Sequence, residues 1–438
     1  KIKLAYNWIG PKGPIWNTEL PNVLSLAGVA EGINQVESRK YWPDAAQNMF
    51  WCEKHNYDVY PVSSLDHDDN RPFIIPFGLA WRVPFEHYFN GLEGILEYSH
   101  VPLKAVCLVR NNNGYILIEH TIEAFMSSGH LDVLHGYFRN NHSLPLYKVI
   151  YLTGCINAQE LYDAYCEQRN IPNDKENRLS IITYPVSFTS FVNQSTHHPK
   201  PEYDTEIVPE KLYLMWNRRT RQHRIELAMG LEHHNLIDRS LISFSEVDVD
   251  VPSRNTVDSI QSAHFINNFG MTQETVDRFS NRLPLILDDE KDFLQMCQDY
   301  GNKSRPFYQR SLVSIVTETN FYDSSVSLTE KSFKSAKEMH PFIIAGVSGA
   351  LKGMHELGFK TFGEFWDESY DDIKDHTQRM RKIIDLLADI GSWSPEKIID
   401  FRRKVKPILE HNHTIIKGAG PHKSVEKITN IIRSNTND

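Results

Sequence analysis

The feature that most restricts the fold is an alternation of short apolar runs with helix-length segments, which occurs in two series along the chain. In the first series Ile2–Trp8, Lys148–Thr153 and Leu179–Tyr184 read as strands and Ala158–Gln168 as a helix. Ala105–Arg110 and Tyr115–Glu119, on either side of Asn111-Asn112-Asn113-Gly114, read as the arms of a hairpin. The second series reads as strand Lys211–Trp216, helix Gln222–His233, strand Leu241–Phe244, strand Leu312–Val316, helix Thr329–Met339, strand Pro341–Ala345 and helix Gly349–Leu357. Strands alternating with helices build a mostly parallel sheet covered on both faces. Between about Phe191 and Pro209 the chain turns to Asn, Ser, Thr, His and Pro, and His197-His198-Pro199-Lys200-Pro201 suits neither a helix nor a central strand. The expected architecture is therefore α/β, with one α/β domain over 1–200, a second over 201–392, a cleft between them, and C-terminal helices over 393–438 packing back across.

At 438 residues the chain is long enough for two or three domains of roughly 100–200 residues each. A composition of 40% hydrophobic and 24% charged residues is globular and excludes disordered, collagen-like and coiled-coil chains. Lys and Arg total 47 against 56 Asp and Glu, a net charge of −9, which argues against bulk nucleic-acid binding while leaving room for a local basic groove. The longest uncharged apolar stretch near the C-terminus, Pro341–Leu351, is about half the length that spans a bilayer. The N-terminus begins like a buried strand, without the layout of a secretory signal. Five widely spaced cysteines without a C-x-x-C pair suggest neither a disulfide framework nor a zinc site, so the expected location is the cytoplasm.

Two segments concentrate anion-binding chemistry. Lys211–Arg224 carries five Lys or Arg residues, one His and no acid. A strand there hands over at Asn217 to a loop bearing Arg218, Arg219 and Arg221, and the loop opens the helix that contains Arg224. Guanidinium forks beside a helix N-terminus favour a phosphate, and a diphosphate is the natural guest. In the second segment, Ser327 and Glu330 have capping-box spacing, Lys331 falls in the first turns of the helix, and Gly346 follows the next strand, where it permits close backbone approach to a ligand. The bland readings are a solvated basic loop and an ordinary capped helix. The chain contains neither G-x-G-x-x-G nor G-x-x-x-x-G-K-[ST], so dinucleotide oxidoreduction and P-loop hydrolysis lack support.

These segments carry a resemblance. SLTEKSFKSAKEMHPFIIAG, residues 327–346, resembles the donor-site motif of fucosyltransferase-like GT-B glycosyltransferases, and MWNRRTRQHR, residues 215–224, looks like the strand-to-helix loop found with it in viral and bacterial relatives. LKGMHELGFKTFGEFWDESYD further resembles a tail of phage-encoded glycosyltransferases. The resemblance implies two Rossmann-like domains facing a cleft, with the second binding a nucleotide sugar. It implies that Lys331 and an arginine among Arg218, Arg221 and Arg224 hold the diphosphate, while Glu330 accepts from the ribose hydroxyls. Asn217 and Gly346 complete the expected donor set.

The base that would deprotonate the acceptor does not align. On position alone the candidates are Glu119 at a strand end, Asp68 in the loop Asp66-His67-Asp68-Asp69, and Glu86 with His87. The D-x-D spacing of the Asp66 loop matches metal-binding loops of other glycosyltransferases. The basic segments already supply the charge a leaving diphosphate needs, so the expectation is metal-independent transfer without a cofactor. Asp367–Asp372 reads as helix capping. The expected activity is transfer of a sugar from a nucleotide-diphosphate donor to a hydroxyl acceptor, with inversion. The acceptor is either hydroxymethylated pyrimidine DNA, as in phage modification, or a glycan or lipopolysaccharide; a non-catalytic nucleotide-binding α/β protein is the alternative of a different class.

Overall fold

The computed structural model describes residues 2–6, 9–10, 13–14, 57–61, 72–78, 103–121, 126–185, 187–188, 191–192, 199–217, 219–247, 263–287, 303–418 and 424–436. The chain divides into two compact units, Lys1–Val186 with Gly420–Asp438, and Ser187–Ala419. The division thus precedes the polar stretch that marks a boundary in the sequence, and the end of the chain returns to the first unit.

The first unit contains β1 (Ile2–Tyr6), β2 (Ile9–Gly10), β3 (Gly13–Pro14), β4 (Tyr57–Pro61), β5 (Phe73–Gly78), α1 (Leu103–Asn111), β6 (Gly114–His120), α2 (Ser128–Leu134), β7 (Val149–Thr153), α3 (Ala158–Gln168) and β8 (Ser180–Thr183). Strands β4-β1-β5-β6-β7-β8 form one parallel sheet, and β2 and β3 pair antiparallel beside it in sequence. All of β7 is buried, as expected of a strand covered on both faces.

The hairpin expected around Asn111–Gly114 does not form: Leu103–Asn111 is a helix, and β6 pairs in parallel with β5 and β7. Val106 and Val109 are both buried, a helical spacing that the short apolar run conceals when read as a strand. Asn112 closes the helix by donating its Nδ2 to the Leu108 carbonyl at 2.9 Å.

The second unit contains β9 (Lys211–Trp216), α4 (Gln222–His233), β10 (Ser240–Ser243), α5 (Ala263–Phe269), α6 (Gln273–Ser280), α7 (Arg305–Gln309), β11 (Ser311–Thr317), α8 (Glu330–Lys337), β12 (Phe342–Ala345), α9 (Ala350–Glu356), α10 (His376–Gly391) and α11 (Pro395–Gly418). Its sheet runs β10-β9-β11-β12, all parallel. Helix α4 is buried from His223 to Glu232 and packs against α6 and α10. The last helix, α12 (Ser424–Thr436), belongs to the first unit. There it buries Ile428 and Ile432 against Tyr115, Leu117, Ile150 and Leu152, the face of the sheet opposite the one packed on α1, α2 and α3. Both units are therefore parallel-sheet α/β structures with helices, the fold class of the GT-B-like reading.

Strand order positions the site. The second unit begins at β9, steps outward to β10, then crosses to β11 on the other side of β9. The topological switch point therefore lies between β9 and β11, and ligands of open α/β sheets bind outside the carboxyl ends of the strands at such a point. In the first unit the switch point lies between β1 and β5, and residues 79–102, which follow β5, lie outside the described residues.

Candidate functional site

Asn217 is the first residue beyond β9 and ties three strand ends together. Its backbone N–H donates to the Ser243 carbonyl at 3.2 Å, and its Oδ1 accepts from the Thr317 hydroxyl at 2.9 Å. The side chain is buried, and among the described residues its Nδ2 has no hydrogen-bond partner. A buried amide donor normally has a partner, so this one marks a place where an acceptor is wanted.

Arg221 follows as the N-cap of α4, in extended backbone, and donates to the Thr319 carbonyl. Arg224, one turn on, is buried and donates to the Thr317 and Glu318 carbonyls at 3.3 and 3.4 Å. The His223 ring lies 3.1 Å from the same Glu318 carbonyl and stacks on Phe321 with centroids 5.3 Å apart. Burial, then the charge of Arg224, hold the His223 pKa well below its ordinary value, so the imidazole is neutral. The opening of α4 thus grips the backbone just past β11. Arg224 does this from within the protein, and Arg221 from a partly exposed position.

Glu318 is the residue that sequence reading missed. Its carboxylate accepts from the Thr329 N–H at 3.0 Å, the Thr329 hydroxyl at 2.6 Å and the Ser332 hydroxyl at 2.6 Å, and it is buried. The Ser327–Glu330 capping box does not form: Thr329 is the N-cap of α8, with no side-chain cap of its own, and Glu318, the residue after β11, takes the Thr329 N–H instead. The start of α8 is therefore already faced by a carboxylate. Positive charge at this edge comes from side chains rather than from that helix end.

Lys331 donates to the Thr329 hydroxyl at 3.2 Å and to the Glu330 carboxylate at 3.0 Å. Burial pushes the Glu330 carboxyl up, but the charge and hydrogen bond of Lys331 outweigh it and hold the group below the usual carboxylate range. Arg221 and Lys331, about a hundred positions apart in sequence, are joined by a short relay. Arg221 holds Thr319, whose N–H donates to Glu318 at 3.2 Å, and Glu318 holds the Thr329 hydroxyl that Lys331 also contacts.

Gly346 follows β12, and its carbonyl accepts from Arg379 Nε at 3.1 Å. The position that requires glycine is instead Gly349, with φ +86° at the start of α9. Arg379, on α10, also donates to the Phe321, Ile373 and Lys374 carbonyls and lies 4.5 Å from the Phe321 ring centroid, so one buried guanidinium braces the loops beyond β11 and β12. Asp371, in the acidic run read as capping, accepts from the Leu351 and Lys352 N–H groups of α9 at 3.0 and 3.2 Å. Asp375 caps α10 through the Gln378 N–H at 2.8 Å.

Arg218 and Asp68, with the whole Asp66–Asp69 loop and Glu86 and His87, lie outside the described residues. Glu119 is the penultimate residue of β6, in register with Gly78 and Leu152, so its backbone stands at a carboxyl strand end. A pocket of about 440 Å³ lined by Lys200, Tyr203, Met339, Lys406 and Glu410 contains none of the expected residues; Met339 precedes β12, which puts the pocket at the amino end of that strand.

No protein-family model matches the chain, and no curated protein matches it. Among solved structures it is similar to the UDP-forming alpha,alpha-trehalose-phosphate synthase of Burkholderia vietnamiensis, at 12% identity and TM-score 0.39 over 89% of this chain and 75% of that one. It is similar also to the alpha,alpha-trehalose 6-phosphate synthase of Burkholderia multivorans, at 11% identity and TM-score 0.39 over 84% and 71%. A trehalose-6-phosphate synthase described for glycosyl transfer with retention gives 11% identity and TM-score 0.41 over 89% and 78%. Likenesses of this size transfer no residue role to this chain.

Proposed function

We propose that the chain is a glycosyltransferase that grips the diphosphate of a nucleotide sugar at the carboxyl edge of its second sheet and passes the sugar to a hydroxyl acceptor. The observation that carries this reading is the convergence of Arg221 and Lys331 on one loop, residues 318–329, at the switch point between β9 and β11. In this reading the two cations exchange their present contacts with Thr319 and Glu330 for diphosphate oxygens, and Asn217 Nδ2 gains the acceptor it lacks among the described residues. Their charge offsets the negative charge that grows on the leaving diphosphate, so transfer proceeds without a metal. Arg224 and Arg379 hold the loops in place without touching the donor. Glu330 accepts from the ribose, and the acceptor hydroxyl attacks in a direct displacement that inverts the sugar carbon, its proton passing to a carboxylate base.

Incubation with UDP-, GDP- and related sugars, with diphosphate release measured in the presence of hydroxymethylated DNA or of glycan acceptors, tests the reading. Acceptor-dependent release from one donor supports it and identifies the acceptor class. A DNA acceptor additionally predicts binding that weakens steeply with salt. Nucleoside diphosphate binding without release under any condition would replace the enzyme with a nucleotide-binding protein.

A further inference from the structure

Tyr322 is one of the few large apolar side chains exposed among the described residues, at 43%, and its position is held from three sides. Its hydroxyl donates to the buried Glu226 of α4 at 3.3 Å, and Glu226 is itself held by Gln222 at 2.9 Å. Phe321, His223 and His376 meet its ring at 77°, 76° and 81°, all edge-on, with centroids 5.1–5.9 Å away. Among the described residues no ring stacks on it, whereas the adjacent Phe321 is stacked on His223 at an interplanar angle of 3°. The side chain is therefore an oriented aromatic, partly open to solvent, with none of its ring contacts parallel.

Its place is informative. Tyr322 lies three residues beyond Thr319, whose carbonyl Arg221 holds, and its hydroxyl anchors on Glu226, five residues along α4 from the N-cap Arg221. At 1.5 Å per residue the anchor stands about 8 Å along the helix from the cap, the reach of one ribose from a diphosphate held at Arg221. A planar heterocycle gains most from an aromatic face that is already fixed, because no side-chain freedom is lost on binding.

We propose that Tyr322 is the platform on which the donor's nucleobase stacks, which makes it an affinity-determining residue of the nucleotide site. The inference rests on the donor-site reading above: the diphosphate is held at Arg221 and Lys331, and the base extends along α4 to Tyr322. Stacking is tolerant of base identity, so Tyr322 contributes affinity for any nucleoside diphosphate rather than a choice between bases.

Calorimetric titration of the full chain with UDP, GDP and inorganic pyrophosphate tests this, using Tyr322→Ala and Tyr322→Phe beside the wild type. The expected result is that Tyr322→Ala weakens the favoured nucleoside diphosphate about tenfold or more while pyrophosphate binding is unchanged. Tyr322→Phe, which keeps the ring and loses the Glu226 anchor, should weaken it less than threefold. Equal weakening of nucleoside diphosphate and pyrophosphate by Tyr322→Ala, or no weakening of either, would overturn the platform while leaving the diphosphate site standing. Failure of the wild type to bind any of the three would overturn the donor-site reading itself. Circular dichroism of each variant identifies a loss that comes from misfolding, and in that case Tyr322→Leu and Tyr322→Trp, expected to weaken and to preserve nucleotide binding respectively, decide the question.

Discussion

Thr329 gives both its backbone N–H and its hydroxyl to the carboxylate of Glu318, at 3.0 and 2.6 Å, so the last residue before α8 is fastened to the first residue after β11. Strand end and helix start are thereby fixed to one another, and Arg221 and Lys331 each attach to one side of the join.

Removing that carboxylate should be costly. Glu318→Ala leaves the Thr329 N–H and two buried hydroxyls without an acceptor, and the expected loss is about 3 kcal/mol or more in urea unfolding. Glu318→Gln keeps the shape but substitutes one acceptor by a donor, with an expected loss of about 1–2 kcal/mol. A change of under 0.5 kcal/mol in Glu318→Ala would mean the join is not structural.

Arg379→Lys should behave as a non-conservative change. A lysine ammonium cannot span the Gly346, Phe321, Ile373 and Lys374 carbonyls while covering the Phe321 ring. The expected outcome is a loss of about 2–4 kcal/mol in thermal unfolding and a raised KM for the donor, with kcat reduced less. Unchanged stability would remove Arg379 from the account of how these loops are held.

Glycine should matter at Gly349 more than at Gly346. An alanine at φ +86° is strained by about 1–2 kcal/mol. A Cβ at Gly346 comes no closer than 3.4 Å to Ala350 and Ile344, an ordinary contact. Gly346→Ala is expected to cost under about 1 kcal/mol, and chemical denaturation of both variants checks the order.

Stability should fall as the pH drops from 7.5 to 5.5. Burial lowers His120 to about 3, His135 to about 4 and His340 to about 4, against an ordinary value of 6.5. The unfolded chain therefore binds protons below about pH 6.5 that the folded chain refuses, so this contribution is complete above 6.5 and is lost as the pH falls towards 4. Each histidine adds a slope of up to about 1.4 kcal/mol per pH unit within that window. Urea midpoints that stay level or rise on acidification to pH 5.5 would contradict the burial of these rings.

The strands and helices of the second unit were legible because apolar runs such as Leu312–Val316 and Pro341–Ala345 are bounded by turn residues, and because helix period and strand period differ clearly there. The Ala105–Arg110 segment was not, since six residues with valines three apart fit either period until the parallel partners of β6 are known. Arg221 and Lys331 stood out as cations at a strand-to-helix turn. Glu318 did not, because a lone carboxylate after a strand reveals nothing of a helix start eleven positions on that closes around it. Arg379 was hidden within an amphipathic helical pattern, where a single arginine on the buried face looks like an interruption rather than a brace. Gly346 drew notice by following an apolar strand, whereas the left-handed turn falls three residues later, at Gly349.

The most direct measurement is a double-mutant cycle on Arg221→Ala and Lys331→Ala, read as the affinity for inorganic pyrophosphate and for the favoured nucleoside diphosphate. If both side chains bind one diphosphate, each single variant weakens both ligands about tenfold, and the double variant departs from additivity by more than about 0.5 kcal/mol. Strictly additive losses, or a variant that binds pyrophosphate as well as the wild type does, would contradict a shared site.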